Sequence, residues 1–166
     1  MFDLINGLPI HPLVVHAVVV LLPLACLGTL AIALRPAWRA TYGVLVVGCA
    51  AVATVLIPVA TSSGEALESH VGSAGEHAEL GEQLIWFAIP LLALSCALVW
   101  MERRQRPTAT SEPGSTRSNA AGRKPSTATR AVAGLALVAA VATSVQVYRV
   151  GDSGARAAWE DRVQSK

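Results

Sequence analysis

Four histidines are the side chains of this 166-residue sequence whose type and grouping suggest chemistry. His11 and His16 stand at the mouth of an apolar run that starts at Leu13, and His70 and His77 precede a later one. Neutral imidazole is the commonest metal ligand, and two imidazoles from different helices can hold a haem iron from opposite faces. His16 and His77 are the pair the sequence favours, because both should fall within helices near one membrane surface. His11 precedes Pro12, which suits a first helical turn, so His11 reads as the helix entrance. His11 and His16 are five positions apart, a turn of about 140°, so one helix does not chelate through both.

Several readings of these residues stay open. The histidines could cap helices and bond to carbonyls at the interface. They could bind haem b through His16 and His77, with His11 as a further candidate. A divalent metal such as zinc or copper could be held among His11, His16, His70 and His77, or the group could sense pH. Glu65, Glu68, Glu76, Glu79 and Glu82 share the region and read as a solvated acidic face. The sequence has no His-x-x-Glu-His, Glu-x-x-His or Cys-x-x-Cys-His pattern and no Gly-rich phosphate loop. Nothing places a nucleophile beside a base, so no catalytic residue is assigned, and the chain does not read as an enzyme on its own.

The elements that must position these residues are membrane spans. Only 14% of the residues are charged and 53% are apolar, against about 25% charged in a soluble domain. Leu13 to Leu34 carries no formal charge. At 1.5 Å per residue it extends about 33 Å, enough for a hydrocarbon core of about 30 Å. Further apolar runs cover about 42–60, 84–101 and 131–150. Trp86, Phe87 and Trp100 bracket the third as interfacial anchors. Ala136, Ala140 and Ser144 give the fourth a small-residue stripe that allows close helix packing. Pro23, Pro58 and Pro90 fall inside spans, where neighbours can satisfy the freed carbonyls. The first twelve residues hold one charge, the negative Asp3, so the amino terminus reads as a retained helix, not a signal peptide. Cys26, Cys49 and Cys96 lie in apolar runs, and no disulfide is expected. No internal repeat is evident.

Charge separates the connections. Segments 35–40 and 102–130 together hold nine basic and two acidic residues. Residues 1–12, 61–83 and 151–166, with Arg149 at the span end, hold four basic and nine acidic ones. The positive-inside rule puts the first set in the cytoplasm and both termini outside a bacterial plasma membrane. Segment 102–130, rich in Ser, Thr, Pro, Gly and Arg, reads as a flexible cytoplasmic linker. Residues 1–101 then form a three-span domain with an acidic outer loop at 61–83. Residues 131–166 supply the fourth span and a short outer tail, whose 155–159 stretch suggests an interfacial helix. The expected fold is an all-α integral membrane four-helix bundle.

Leu8 to His16, with its His-Pro-x-x-Val-His core, resembles the opening of a bacterial family of membrane proteins, domain-of-unknown-function family 2231. Gly64-Glu65, His77 to Gly81 and Gly154 to Trp159 are similar to actinobacterial members. The resemblance covers most of the chain outside 102–130. It implies a four-helix membrane domain without an established activity, whose relatives are fused or adjacent to redox modules, including Rieske-type iron–sulfur domains. If the family binds haem, His11, His16 and His77 are the positions that carry over, and His70 has no motif support. The function expected is therefore a small haem-binding electron-transfer membrane subunit, with a non-catalytic scaffold or an outer metal-binding or pH-responsive module as alternatives. The lipid bilayer is the expected partner, with a redox membrane complex or a second copy beside it, and nucleic acid is not expected. In a background without the native cysteines, Ser73→Cys is expected to react with an impermeant maleimide added to intact cells, and Ser115→Cys only after permeabilisation. The reverse pattern overturns the orientation.

Overall fold

The computed structural model describes residues 4–5, 8–71, 75–105 and 126–164, with side chains from His11 to Glu65, Gly75 to Arg104, Ser126 to Ala157, and at Trp159. Four helices dominate: α1 Ile10–Leu34, α2 Pro36–Val71, α3 Glu76–Gln105 and α4 Thr127–Gln164. A two-residue strand pair, β1 Leu4–Ile5 and β2 Leu8–Pro9, precedes α1 in antiparallel register, with Leu4 opposite Pro9. All four helices are long and apolar enough to cross a membrane, over His11–Leu34, Pro36–Glu65, Glu76–Arg104 and Thr127–Ala157. The protein is an all-α, multi-pass membrane four-helix bundle.

The helices exceed the apolar runs that seed them. α2, at 36 residues, extends about 54 Å, and α4, at 38 residues, about 57 Å. Both overrun a hydrocarbon core of about 30 Å. The segment expected as an outer loop, 61–83, is therefore largely helical, continuing α2 to Val71 and opening α3 at Glu76. The outer tail likewise continues α4 as far as Gln164 instead of forming a separate interfacial helix. The linker narrows from both ends, because α3 runs to Gln105 and α4 starts at Thr127; residues 106–125 lie outside the described residues.

Local chemistry fixes the helix ends. Gly75, at φ 52°, turns the chain into α3, and its carbonyl accepts from the Ala78 and Glu79 amides. Glu76 and Glu79 in the first turn of α3 and Arg103 and Arg104 in its last complement the helix dipole. Only Arg35 separates α1 from α2. Arg39, expected in a loop, lies in the first turns of α2 at 4% exposure. Its Nε donates to the Ile32 carbonyl at 2.7 Å and Nη2 to the Ala33 carbonyl at 3.2 Å, capping the end of α1. Arg35 stacks on Trp38 and Arg104 on Trp100, at the end of the bundle opposite the amino terminus. The three cysteines are free.

The packing reveals a repeat that side-chain identity conceals. α1 and α3 each pack on α2 and α4 and lie diagonally across the bundle. A shift of 66 positions carries the buried face of α1 onto that of α3: Leu22 onto Ala88, Ala25 onto Leu91, Thr29 onto Ser95 and Ile32 onto Leu98, all at 0% exposure. A shift of 90 carries α2 onto α4, matching Arg39 with Thr129, Ala50 with Ala140 and Ala53 with Thr143, all buried. Two helical hairpins, α1–α2 and α3–α4, are thus related by an approximate two-fold axis along the bundle, an arrangement of parallel repeats. Thr29 and Ser95 meet at that axis through a hydroxyl–hydroxyl bond of 2.8 Å. Because each is the other's buried partner, removing one hydroxyl leaves its mate unsatisfied. Thr29→Val and Ser95→Ala are each expected to destabilise the bundle by about 0.5–2 kcal/mol. The double variant should lose less than their sum, as measured by reversible unfolding in mixed detergent micelles.

Candidate functional site

The amino-terminal ends of α1 and α3 and the carboxy-terminal parts of α2 and α4 meet at one end of the bundle, and a cleft opens there. It has a cavity volume of about 360 Å³. Its walls are mostly apolar, among them Val15, Val18, Ile57, Leu84, Val147 and Val150. His11 and His77 both line it, and so do Glu65 and Glu82.

Each of these histidines is the second residue of its helix, and a shift of 66 carries one onto the other. His11 Nδ1–H donates to the Ala60 carbonyl at 3.1 Å and to Ser63 Oγ at 3.1 Å, both on α2. His77 Nδ1–H donates to the Val150 carbonyl at 3.1 Å and to Ser153 Oγ at 3.3 Å, both on α4. A shift of 90 carries Ala60, Ser63 and Gly64 onto Val150, Ser153 and Gly154. The two half-sites are copies.

These contacts fix the tautomer. A carbonyl oxygen has no proton to give, so Nδ1 must carry the hydrogen. The serine hydroxyls donate to the same carbonyls, Ser63 to Ala60 and Ser153 to Val150, each at 3.0 Å, so their oxygens receive from the imidazole. In the neutral ring the lone pair then resides on Nε2, the arrangement in which histidines commonly bind metal. Neither Nε2 makes a hydrogen bond to a described residue.

Glycine seats each ring. An added Cβ at Gly64 would lie 3.1 Å from His11 Cε1, and one at Gly154 would lie 2.9 Å from His77 Cε1. The imidazoles pack directly on the backbone of the neighbouring helix, where a side chain would displace them.

The remaining sequence candidates are placed differently. His16 is exposed, does not line the cleft, and gives its Nδ1–H to the Pro12 carbonyl of its own helix. The pair brought together is His11 and His77, not His16 and His77. The cause is the helix start: α1 begins at Ile10, so His11 is already helical, and the angular offset between the two histidines turns His16 away from the cleft. The His70 side chain lies outside the described residues. Among the described residues, no group of three or more His, Cys, Asp or Glu side chains could hold a metal ion. Sequence reasoning passed over Ser63–Gly64 and Ser153–Gly154; the signal was a Ser-Gly pair recurring at a 90-residue interval beside histidines 66 apart.

The family model described as "Predicted membrane protein (DUF2231)" matches residues 7–166. The chain belongs to that family. No curated protein matches it, and no solved structure does.

Proposed function

We propose that this member of domain-of-unknown-function family 2231 is a small haem-binding electron-transfer membrane protein, in which His11 and His77 would hold the haem iron. The carrying observation is the pair of imidazoles lining one apolar cleft, both held as Nδ1–H tautomers by carbonyls of neighbouring helices. Haem b is the suited form, because the chain has no Cys-x-x-Cys-His sequence for covalent attachment. When bound, it supplies a one-electron iron couple. The protein's own residues do the rest. His11 and His77 line the cleft from diagonal helices, each with an Nε2 that makes no hydrogen bond to a described residue. Ala60 and Val150, through their carbonyls, increase the basicity of each ligand. Val15, Val18, Ile57, Leu84 and Val147 keep water from the ring faces and lower the local dielectric.

Placement follows from charge. The cleft end carries the acidic segments, and the opposite end the Arg-rich ones, so the positive-inside rule turns the cleft outward from a bacterial plasma membrane, with both termini outside. All four histidines belong to segments at the cleft end. A haem held there would exchange electrons from that side, with a redox membrane complex or a second copy of the chain as the partner. A divalent metal is the weaker reading, since no described cluster supplies a third ligand.

The visible spectrum of the protein, expressed with ample haem and purified in detergent, tests this. A low-spin spectrum with sharp bands on reduction is expected. His11→Ala and His77→Ala should each abolish it, while His16→Ala should retain it. A colourless wild-type protein contradicts the reading and leaves a scaffold role; loss of haem in His16→Ala with retention in His11→Ala contradicts the assignment of ligands.

A further inference from the structure

We infer that Ser63–Gly64 and Ser153–Gly154 are two copies of one seat that fixes the ring planes of His11 and His77, making the two imidazoles equivalent as ligands; this rests on the haem reading. A histidine ligand needs its tautomer and its rotation about the ring axis fixed. Here one turn of helix does both. The carbonyl and serine oxygen hold Nδ1–H, which sets the tautomer and the direction of the ring edge. The glycine that follows each serine lets the ring lie against the backbone, which sets its plane.

The seats are duplicated with the hairpins. The shifts that superpose the buried faces, 66 for α1 onto α3 and 90 for α2 onto α4, also superpose the histidines, serines and glycines. Such a site lies on the two-fold axis and favours a ligand with two chemically equivalent faces. A metal tetrapyrrole offers its metal to an imidazole lone pair on either face, whereas a quinone or a peptide has no such acceptor. These four residues act through the imidazoles, so they are positioning residues. Departure from the repeat occurs next to the seats: Ser62 matches Asp152, and Glu65 matches Ala155.

Two measurements test the seats. Nitrogen-15 histidine NMR of the haem-free protein is expected to show His11 and His77 both protonated at Nδ1, and an Nε2–H tautomer at either overturns the inference whatever the cofactor. In haem-loaded protein, Ser63→Ala and Ser153→Ala should shift the midpoint potential in the same direction and by matching amounts, with the double variant near their sum. Opposite shifts, or none, overturn the duplication. Gly154→Ala should change the anisotropy of the low-spin ferric electron paramagnetic resonance signal more than Gly64→Ala does, since its Cβ clash is closer. Gly134→Ala, with open space around it, should leave the signal unchanged. Signals unchanged in both seat variants overturn the role of the glycines. If the wild type takes up no haem, the proposed function fails, yet the tautomer measurement still decides whether the seats exist.

Discussion

An imidazole whose Nδ1–H is bonded to a backbone carbonyl has one lone pair left to offer, on Nε2. That constraint operates twice in this bundle, at His11 through Ala60 and at His77 through Val150. It requires that the amino-terminal turn of one helix lie beside the carboxy-terminal part of its hairpin partner. α2 and α4 must therefore run beyond the apolar runs that anchor them in the bilayer, and both do, as continuous helices through Ser63 and Ser153. The length that seemed to belong to loops is what brings the serines and glycines level with the histidines.

Inside the membrane the bundle relies on close packing and a few internal polar bonds, because lipid provides no hydrophobic drive to bring helices together. The axis is lined by Ala25, Ala50, Ala53, Ala88 and Ala140, which let the backbones approach, and by Leu22, Leu91, Ile32 and Leu98, which fill the space between. The Thr29–Ser95 bond ties the diagonal helices together inside the bundle, and Thr143 reaches the Phe87 carbonyl at 3.2 Å. Gln146, 2% exposed, donates to the Leu80 carbonyl just below the cleft. Among the described side chains, no buried polar atom is without a partner. A bundle held in this way keeps its two ends in register, so a site formed by four separate helices can be rigid.

The spans were legible in the sequence because twenty apolar residues in a row have few other uses. Helix ends were less so: charged and small residues such as Glu65, Gly64 and Asp152 look like loop chemistry, yet a helix emerging from the bilayer tolerates them once water satisfies its surface. The repeat was hidden for a related reason. In a lipid-embedded core Ala, Val, Leu and Ile exchange freely, so the two hairpins share burial with little shared identity, and the different shifts for the two helix pairs blur the alignment. The site-forming polar positions retain the repeat most clearly: His with His, Thr with Ser, and Ser-Gly with Ser-Gly. The sequence favours His16 because His11, beside Pro12, reads as the helix entrance; α1 begins at Ile10, so His11 is already helical, and angle decides which residue meets a neighbour.

Two half-sites that make a single cleft predict a single cofactor. The direct measurement is the ratio of haem to protein in chain purified after haem-replete expression, taken from pyridine haemochrome and amino-acid analysis of one sample. One haem per chain is expected, and none in the variant lacking both His11 and His77. No haem in the wild type, or two per chain, contradicts a single shared haem site.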